Sequence, residues 1–439
     1  MKFRAIPMLC VCAVAGPGIL AQKIEIAPAT VLIDEAPSIR VTGVAPGASV
    51  TVEADLSDGN GKPWHSEAQF AADAQGGVDL AAQAPAKGSY REASAMGLVW
   101  SMRPAEHDVH FFAPPHDSEE QTVHFQLLYG GKEVGSADLV QRYVAAGVRT
   151  VRVEGALHGT LFLPPEAGRG DTKVPGVLVV GGSEGGLPRA RAAWLASHGC
   201  AALALAYFHY EDLPATLRDI PLEYFGRALA WMAQRPEIDA KRLGVMGTSR
   251  GGELALQLGS MYPEIHAVVA YVPANIRVAS CCGRPFGAAW TWHGEGLAWA
   301  LPGMPNNPAT LMRATIAVEG IHGPVLMIGG ESDGVWSSSE MVQAAASRLR
   351  QAHFGYPVVT LTYAHAGHRA GMPEILPTWN NGVLHPLTGR LTDLGGTPEG
   401  NAESTLDAIP KVLDFLRTSL AADAAAPVTE GRAPGATRR

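Results

Sequence analysis

Residues 244–258 read GVMGTSRGGELALQL, and this stretch decides the fold of the second half of the chain. The residues before Gly247 are typical of a buried strand, and those after Gly252 are typical of a helix. A G-x-S-x-G sequence with Ser249 at its centre stands between them. A serine on a sharp turn from strand to helix exposes its hydroxyl above a sheet, so Ser249 is a candidate nucleophile. The alternative is a glycine-rich turn in which Ser249 only caps the helix.

Strand and helix patterns continue on both sides of this turn. From about residue 150 onward, apolar runs alternate with helix-length segments, which indicates βα units and a mainly parallel sheet. We therefore expect an α/β-hydrolase catalytic domain over residues 150–420. Strands are predicted at 177–180, 201–206, 242–246, 267–272, 325–328 and 358–363, and helices at 188–197, 222–234 and 406–420.

Residues 24–145 show a different pattern, with short alternating runs broken by turn-forming residues. Apolar residues occupy alternate positions at Val50, Val52, Ala54 and Leu56, and again at Val123, Phe125 and Leu127. Turn residues follow these runs at 58–61 and 130–131. The pattern predicts a small all-β sandwich, with His124 on the solvent side of its strand.

The acid and the histidine that activate a serine follow it in chain order in this fold. Asp333 lies just after one predicted strand and His368 just after the next, where loops can present both side chains to the serine. Each has a neighbour of the same chemistry, Glu331 and His365. We expect Asp333 and His368 to be the partners of Ser249, and the two neighbours to be loop residues.

A site for acyl transfer also needs two backbone N–H donors for the oxyanion of the tetrahedral intermediate. Arg250, the residue after the nucleophile, is expected to supply the first through its main chain. The second is expected from the glycine-rich loop at 181–186, with Ser183 or Glu184 as the donor. Such a loop could instead cradle a phosphate, but it has neither the Walker lysine nor the G-x-G-x-x-G spacing.

Length and composition limit the class of protein. The 439 residues exceed a typical single domain, so two domains are expected. Hydrophobic residues make up 47% and charged residues 17%, a balance that allows sizeable cores. A net charge of −8 without a cluster of Lys and Arg argues against nucleic acid as a partner. The expected partner is a small-molecule substrate; no cofactor and no metal are implied, and the oligomeric state is left open.

Both ends of the chain differ from the expected domains. Lys2 and Arg4 precede an uncharged, mostly apolar run at 6–20, which is typical of a secretory signal peptide cleaved after Ala21. Residues 1–21 therefore predict a periplasmic or secreted protein without a stable membrane span; the alternative is a cytoplasmic protein with a hydrophobic start. Residues 421–439, rich in Ala and Pro, are expected to form a disordered tail.

Five cysteines are present, and Cys10 and Cys12 lie in the expected signal peptide. The remaining three, Cys200, Cys281 and Cys282, are an odd number and form no disulfide framework. The adjacent pair is expected to consist of packing residues or an oxidisable pair. A zinc site is not favoured, because no His/Cys spacing of zinc type surrounds the pair.

Several segments occur together in this chain. They are PGVLVVGGSEGG at 175–186, SHG at 197–199, ALAY at 204–207, YEDLP at 210–214, LEYF at 222–225, SRGGEL at 249–254, PSIRV at 37–41 and MGLVW at 96–100. The combination closely resembles the acyl-CoA thioesterase and bile acid-CoA:amino acid N-acyltransferase family, over about residues 28–420. The resemblance implies an N-terminal immunoglobulin-like domain and hydrolysis of an acyl thioester. It also implies the same catalytic residues, Ser249, Asp333 and His368, with Trp336 matching as well.

Three features bear on the expected substrate. The acyltransferase branch of the family has cysteine as its nucleophile, so Ser249 favours hydrolysis over transfer to an amino acid, which stays an alternative. Glu184 stands where the animal enzymes tend to have glycine, and residues 369–373 lack the usual continuation of the family. Residues 273–322 are expected to form an insertion over the site, with aromatic side chains that line the pocket or fill the core of the insertion: Phe286, Trp290, Trp292 and Trp299.

Two further functions stay open. Coenzyme A is mainly intracellular whereas the first residues resemble an export signal, so an exported carboxylesterase or a dienelactone-hydrolase-like enzyme could use the same three residues. From a different class, the chain could be a catalytically silent binding protein whose sandwich domain recognises a partner. The intact order of serine, aspartate and histidine favours an enzyme.

Overall fold

The computed structural model of the chain describes residues 21–115 and 120–422. Residues 1–20 of the expected signal peptide and residues 423–439 of the expected tail lie outside the described residues. Within those two ranges, every helix is too short or too polar to cross a membrane.

Short strands and one short helix build the N-terminal half. They are β1 (Lys23–Ala27), β2 (Thr30–Leu32), β3 (Ser38–Thr42), β4 (Ser49–Ser57), β5 (Pro63–Ala71), β6 (Val78–Asp79), β7 (Lys87–Gly88), α1 (Gly97–Trp100), β8 (Arg103–Pro104), β9 (Glu120–Tyr129) and β10 (Lys132–Arg142). One sheet has the order β1-β3-β6, and the other has the order β2-β10-β9-β4-β5-β7 with β8 beside β5. Neighbouring strands are antiparallel except for β2 and β10, which are parallel.

Alternating burial along these strands agrees with the predicted pattern. Val52 on β4 and Phe125 and Leu127 on β9 are fully buried, and they belong to one core shared by both sheets. His124 lies on the solvent side of β9, where its ring contacts Asp138. The N-terminal half is therefore β-rich, as expected, while its classification as immunoglobulin-like stays a prediction.

Strands and helices alternate in the second half. Its elements are β11 (Arg149–Arg152), β12 (His158–Leu163), β13 (Val174–Val180), α2 (Arg189–Ser197), β14 (Ala201–Ala206), β15 (Ile220–Pro221), α3 (Glu223–Ala233), β16 (Ile238–Thr248), α4 (Arg250–Met261), β17 (Ile265–Tyr271), β18 (Trp290–Trp292), β19 (Glu295–Gly296), α5 (Pro308–Ala314), a 3₁₀ helix (Val318–Gly320), β20 (Val325–Gly330), α6 (Ser338–Gln351), β21 (Val358–Tyr363), β22 (Val383–Leu384), β23 (Leu391–Thr392) and α7 (Pro398–Ser419).

Eight of these strands form one sheet with the order β11-β12-β14-β13-β16-β17-β20-β21. The six strands from β14 to β21 are parallel, and β11 and β12 add an antiparallel edge. Leu178 and Val180 face a core that includes α3, α4 and α6, whereas Val177 and Val179 face a core with α2 and α7. Burial on both faces explains the continuous apolar runs of these strands. The expected α/β-hydrolase fold is confirmed.

Helix α7 begins at Pro398, eight residues before the predicted start. The side chain of Thr397 caps it by accepting a hydrogen bond from Gly400 N. The early turns bury polar side chains, and two of these, Asn401 and Ser404, accept hydrogen bonds from the backbone of the loop that carries His368. Apolar periodicity could not indicate this part of the helix, because its buried residues are polar.

A buried carboxylate joins the two halves of the chain. Asp34 accepts a hydrogen bond from Trp194 Nε1 at 2.9 Å, and its Oδ2 lies 2.8 Å from His198 Nε2. Ile375, which follows the loop of His368, packs into the core of the N-terminal half. The loop is therefore held by both halves of the molecule.

Removing the Asp34 carboxylate should destabilise the junction. We expect Asp34→Ala to lower the free energy of unfolding by about 2–3 kcal/mol, because it leaves the buried N–H of Trp194 without an acceptor. Asp138→Ala is the matched control, since Asp138 pairs with His124 at an exposed site and should cost less than about 1 kcal/mol. Urea unfolding of both variants measures the difference. Equal losses would show that Asp34 does not hold the junction.

Candidate active site

Ser249 lies at the turn between β16 and α4, with φ +57° and ψ −117°. A positive φ is rare for a residue with a side chain, so the backbone is strained here. Glycines on both sides make the turn possible: a Cβ on Gly247 would overlap the carbonyl of Gly251, and a Cβ on Gly251 would overlap that of Gly181. Ser249 N donates to Tyr271 O at 2.9 Å and ties the turn to β17. The turn has the expected strand-to-helix geometry.

Three of the predicted residues lie in one hydrogen-bonded row. Ser249 Oγ is 2.8 Å from His368 Nε2, and His368 Nδ1 is 2.8 Å from Asp333 Oδ2. The side chain of Asp333 is fully buried and His368 is 8% exposed. The carboxyl ends of β16, β20 and β21 bring the three residues together, although 119 residues separate Ser249 from His368.

Backbone groups and an indole fix the carboxylate and the imidazole. Asp333 Oδ1 accepts hydrogen bonds from Val335 N at 2.8 Å and Trp336 N at 3.2 Å, which leaves Oδ2 for His368. The rings of Trp336 and His368 pack edge to face, with their centroids 5.0 Å apart. Trp336 Nε1 in turn donates to Val272 O at 3.1 Å. Trp336 therefore positions both partners of the serine.

The two neighbours of like chemistry lie outside this row. Glu331 and His365 are both exposed. His365 contributes through its main chain, where its carbonyl accepts a hydrogen bond from Thr397 N at 2.9 Å. The hydrogen-bonded row thus contains Asp333 and His368 and neither of these neighbours.

The expected oxyanion donors lie around the same serine. Arg250 begins α4, and its N–H has no hydrogen-bond partner among the described residues. Ser183 and Glu184 line the same cavity as Ser249. The carboxylate of Glu184 folds back over the glycine turn and accepts a hydrogen bond from Gly182 N at 2.9 Å. The choice between Ser183 and Glu184 as the second donor stays a prediction.

A buried ion pair lies beneath the turn. Arg250 Nε donates to Glu253 Oε2 at 2.7 Å, and its other nitrogens donate to the carbonyls of Val278 and Ala279. Glu253 Oε1 accepts hydrogen bonds from Val278 N and Trp290 Nε1. Burial raises the pKa of Glu253, and the charge of Arg250 opposes that shift. The pair fixes the segment at 278–279 to α4, a side-chain role for Arg250 that the sequence did not indicate.

A cavity of about 810 Å³ opens above Ser249. Lining residues come from several parts of the chain: 111–114 and 143 in the N-terminal half, and 183–191, 278–301, 335–336, 368–376 and 383–394 in the second half. The expected cover at 273–322 thus supplies one part of the wall. The segment at 383–394 was not predicted, because it has no helical or strand periodicity. Another cavity, of about 850 Å³, contains none of the predicted site residues.

Only one of the four aromatic pocket candidates lines the cavity, and it is Phe286. Trp290 is buried in the core, Trp292 packs against Tyr262, and Trp299 is partly buried in the insertion. The pocket prediction is therefore wrong for three tryptophans. Trp290 and Trp292 pack instead in the main core of the second half of the chain.

Cys281 and Cys282 form a disulfide, and both line the cavity. His385 lies beside the pair, with Nε2 3.9 Å from Cys282 Sγ and 3.1 Å from Ser183 Oγ. These three side chains lie close enough to share a metal ion. Cysteine binds metals as a thiolate, however, and two cysteines in a disulfide have no thiolate to offer. The pair is oxidised in the structure, which is one of the two expected states. Cys200 is buried, and burial raises its pKa to about 12.

A second group of possible metal ligands lies outside this cavity, at His158, Glu211 and Asp212. His158 Nδ1 is 2.9 Å from Glu211 Oε2, and its Nε2 is 3.0 Å from Asp212 Oδ1. The two carboxylates are exposed and lie within hydrogen-bond distance of the imidazole, so hydrogen bonding accounts for this cluster.

Comparisons with known proteins place both halves in one family. Residues 34–155 match the acyl-CoA thioester hydrolase/BAAT N-terminal region, and residues 220–282 and 298–422 match the BAAT/acyl-CoA thioester hydrolase C terminal. Acyl-coenzyme A thioesterase 6 of Mus musculus is 33% identical over 404 residues, which are 88% of this chain and 94% of that protein. The mitochondrial acyl-coenzyme A thioesterase 2 of Rattus norvegicus is 32% identical over 402 residues, which are 88% and 87% of the two chains.

The solved structures that resemble this chain are more distant. The acylaminoacyl peptidase of Pyrococcus horikoshii is 13% identical with a TM-score of 0.44, covering 88% of this chain and 60% of that chain. A puromycin-hydrolyzing peptidase of Mycobacterium tuberculosis is 13% identical with a TM-score of 0.43, covering 89% and 66%. Since the matches in sequence extend over both halves of the chain, this protein belongs to the acyl-CoA thioesterase and bile acid-CoA:amino acid N-acyltransferase family of hydrolase enzymes.

Proposed function

We propose that this protein hydrolyses acyl thioesters, with acyl-CoA as the thioester, through an acyl-enzyme on Ser249. The observation that carries the proposal is the row in which His368 lies 2.8 Å from both Ser249 Oγ and Asp333 Oδ2. Such spacing lets the imidazole take a proton from the hydroxyl while the carboxylate holds its tautomer. Membership of a family whose relatives are named acyl-coenzyme A thioesterases supports the thioester as the bond that is cleaved.

In the first half of the reaction, Ser249 Oγ attacks the carbonyl carbon of the thioester and its proton passes to His368 Nε2. Asp333 stabilises the imidazolium that forms. The oxyanion of the tetrahedral intermediate accepts hydrogen bonds from Arg250 N–H and from the second donor in the loop at 183–184. The C–S bond then breaks, the acyl group stays on the serine, and the thiol leaves with the proton from His368.

Water completes the second half of the reaction. His368 takes a proton from the water molecule as its oxygen attacks the acyl carbon, and the same two N–H groups stabilise the oxyanion. The ester bond to Ser249 then breaks, the serine regains a proton from His368, and the carboxylic acid leaves. An amino acid that attacked in place of water would give N-acyl transfer by the same steps.

Kinetics of three variants test the assigned roles. The purified protein should release CoA from hexanoyl-CoA, as measured with a thiol reagent. Ser249→Ala and His368→Ala should each lower kcat by roughly 10³-fold or more, because attack loses its nucleophile or its base while the N–H donors remain. His365→Ala is the matched control and should stay within about twofold, since that side chain is exposed. Circular dichroism checks that each variant is folded.

Several outcomes would contradict the proposal. Near-normal turnover by folded Ser249→Ala would remove the serine from the mechanism, and a loss confined to His365→Ala would make His365 the base. A higher kcat/KM for p-nitrophenyl hexanoate than for hexanoyl-CoA would make the protein a carboxylesterase. Formation of N-hexanoylglycine when glycine is added would assign acyl transfer.

We also propose that the protein is exported, with residues 1–21 removed as a signal peptide. The basic start and the apolar run at 6–20 support this proposal. The first strand of the fold begins at Lys23, so cleavage after Ala21 would leave the whole sheet intact. Export would make an extracytoplasmic thioester or ester the natural substrate of the same residues.

Fractionation of a bacterial host tests the export proposal. Expressed from its own Met1, the protein should accumulate in the periplasmic fraction with Gln22 at or near its N-terminus, because the apolar run has the length of a signal peptide core. N-terminal sequencing provides the measurement. A cytoplasmic product that retains Met1 or Lys2 would refute export and would strengthen acyl-CoA as the natural substrate.

A further inference from the structure

Two arginines line the cavity of Ser249 and have no carboxylate within salt-bridge distance in the part of the chain that the structure describes. Arg191 lies on α2, and Arg369 directly follows His368. Arg191 Nη2 lies 3.7 Å from Met372 Sδ, and the guanidinium of Arg369 lies over the ring of Phe111 at 4.8 Å from its centroid. In residues 21–115 and 120–422, neither guanidinium has a carboxylate oxygen within 4.0 Å.

The environment of these side chains makes the lack of a partner costly. Arg191 Nε is buried and has no hydrogen-bond partner among the described residues. A charged group withdrawn from water loses hydration that only hydrogen bonds or an opposite charge replace. Arg191 and Arg369 are partly buried, whereas Arg250 is buried and shows the usual solution, since it donates to Glu253 and to two carbonyls. Arg191 and Arg369 lack this solution although they share the cavity of Ser249.

The surrounding charges leave this part of the wall positive. Burial lowers the pKa of Arg369, the carboxylate of Glu374 opposes that shift, and the charge of Arg191 adds to it. Glu374 lines the same cavity, so two arginines face one glutamate. The guanidinium groups of Arg191 and Arg369 are therefore N–H donors that line one cavity together.

We propose that Arg191 and Arg369 bind an anionic oxygen group of the substrate inside the active-site cavity. This inference rests on the proposed thioesterase function and names a feature that its substrate carries. A guanidinium presents parallel N–H donors that match a carboxylate or a phosphate. The anion comes from one of two parts of an acyl-CoA: a carboxylate at the far end of the acyl chain, or the phosphates of the CoA.

Four thioesters separate these sources. Hexanoyl-CoA and adipoyl-CoA differ by a terminal carboxylate, and the N-acetylcysteamine thioesters of the same two acids lack phosphate. Arg191→Met and Arg369→Met remove the charge and keep an unbranched apolar side chain beside Met372 and Phe111. Arg189→Met is the matched control, because Arg189 lies on the same helix but contacts Thr160 and Phe162 outside the cavity.

The values of kcat/KM for the four thioesters show which anionic group the two arginines bind. A carboxylate site requires both cavity variants to lose about tenfold or more on the two adipoyl thioesters and to keep their activity on the hexanoyl ones. A phosphate site requires the same loss on the two CoA thioesters and none on the N-acetylcysteamine thioesters. Losses of equal size on all four, or losses on all four no larger than those of Arg189→Met, would overturn the proposal.

Binding measured without turnover keeps this test separate from the proposed function. Calorimetric titration of Ser249→Ala with adipoyl-CoA and with hexanoyl-CoA gives dissociation constants, and adding Arg369→Met or Arg191→Met should weaken at least one of them about tenfold. Unchanged binding of both ligands would overturn the anion site. If wild-type protein hydrolyses none of the four thioesters, the proposed function fails and the titrations alone decide the inference.

Discussion

The backbone at Ser249 has a positive φ, and the candidate active site depends on this one strained turn. Gly251 packs directly against the carbonyls of Val180 and Gly181, so the end of β13, the end of β16 and the start of α4 meet in contact. The serine hydroxyl, the N–H of Arg250 and the glycine-rich loop are thereby fixed relative to each other before any substrate binds. Arg250 pairs with Glu253 and also donates to the carbonyl of Val278, so the cavity wall at Val278 is fixed to the same turn.

The histidine loop depends on the whole molecule in a similar way. His368 N donates to Leu394 O, Gly367 N donates to Asn401 on α7, and Ile375 packs in the N-terminal core. Phe111 and Tyr143 of the N-terminal half also line the cavity. The β-rich half is therefore part of the site itself, which weighs against the idea that it serves as a separate binding module. Arg191 and Arg369 line this same cavity, whose wall includes residues from both halves of the chain.

Much of this arrangement could be predicted from the sequence, because the features involved are local. Strands buried on both faces appear as apolar runs, and the order serine, aspartate, histidine follows from the fold. The early turns of α7 could not be predicted, because their buried residues Asn401 and Ser404 are polar. These side chains accept hydrogen bonds from residues more than 30 positions away. The packing of Trp290 and Trp292 in the core and the surroundings of Arg191 also depend on contacts distant in sequence. Such contacts leave no periodic pattern.

Detection of the acyl-enzyme tests the central claim most directly. The protein is mixed with hexanoyl-CoA, quenched in acid during the first turnover, digested with trypsin and examined by mass spectrometry. Cleavage after Arg242 and Arg250 releases one peptide that contains Ser249. We expect this peptide to carry a hexanoyl group on Ser249, and no adduct in Ser249→Ala. Turnover without any adduct on Ser249, or an adduct on another residue, would contradict the mechanism.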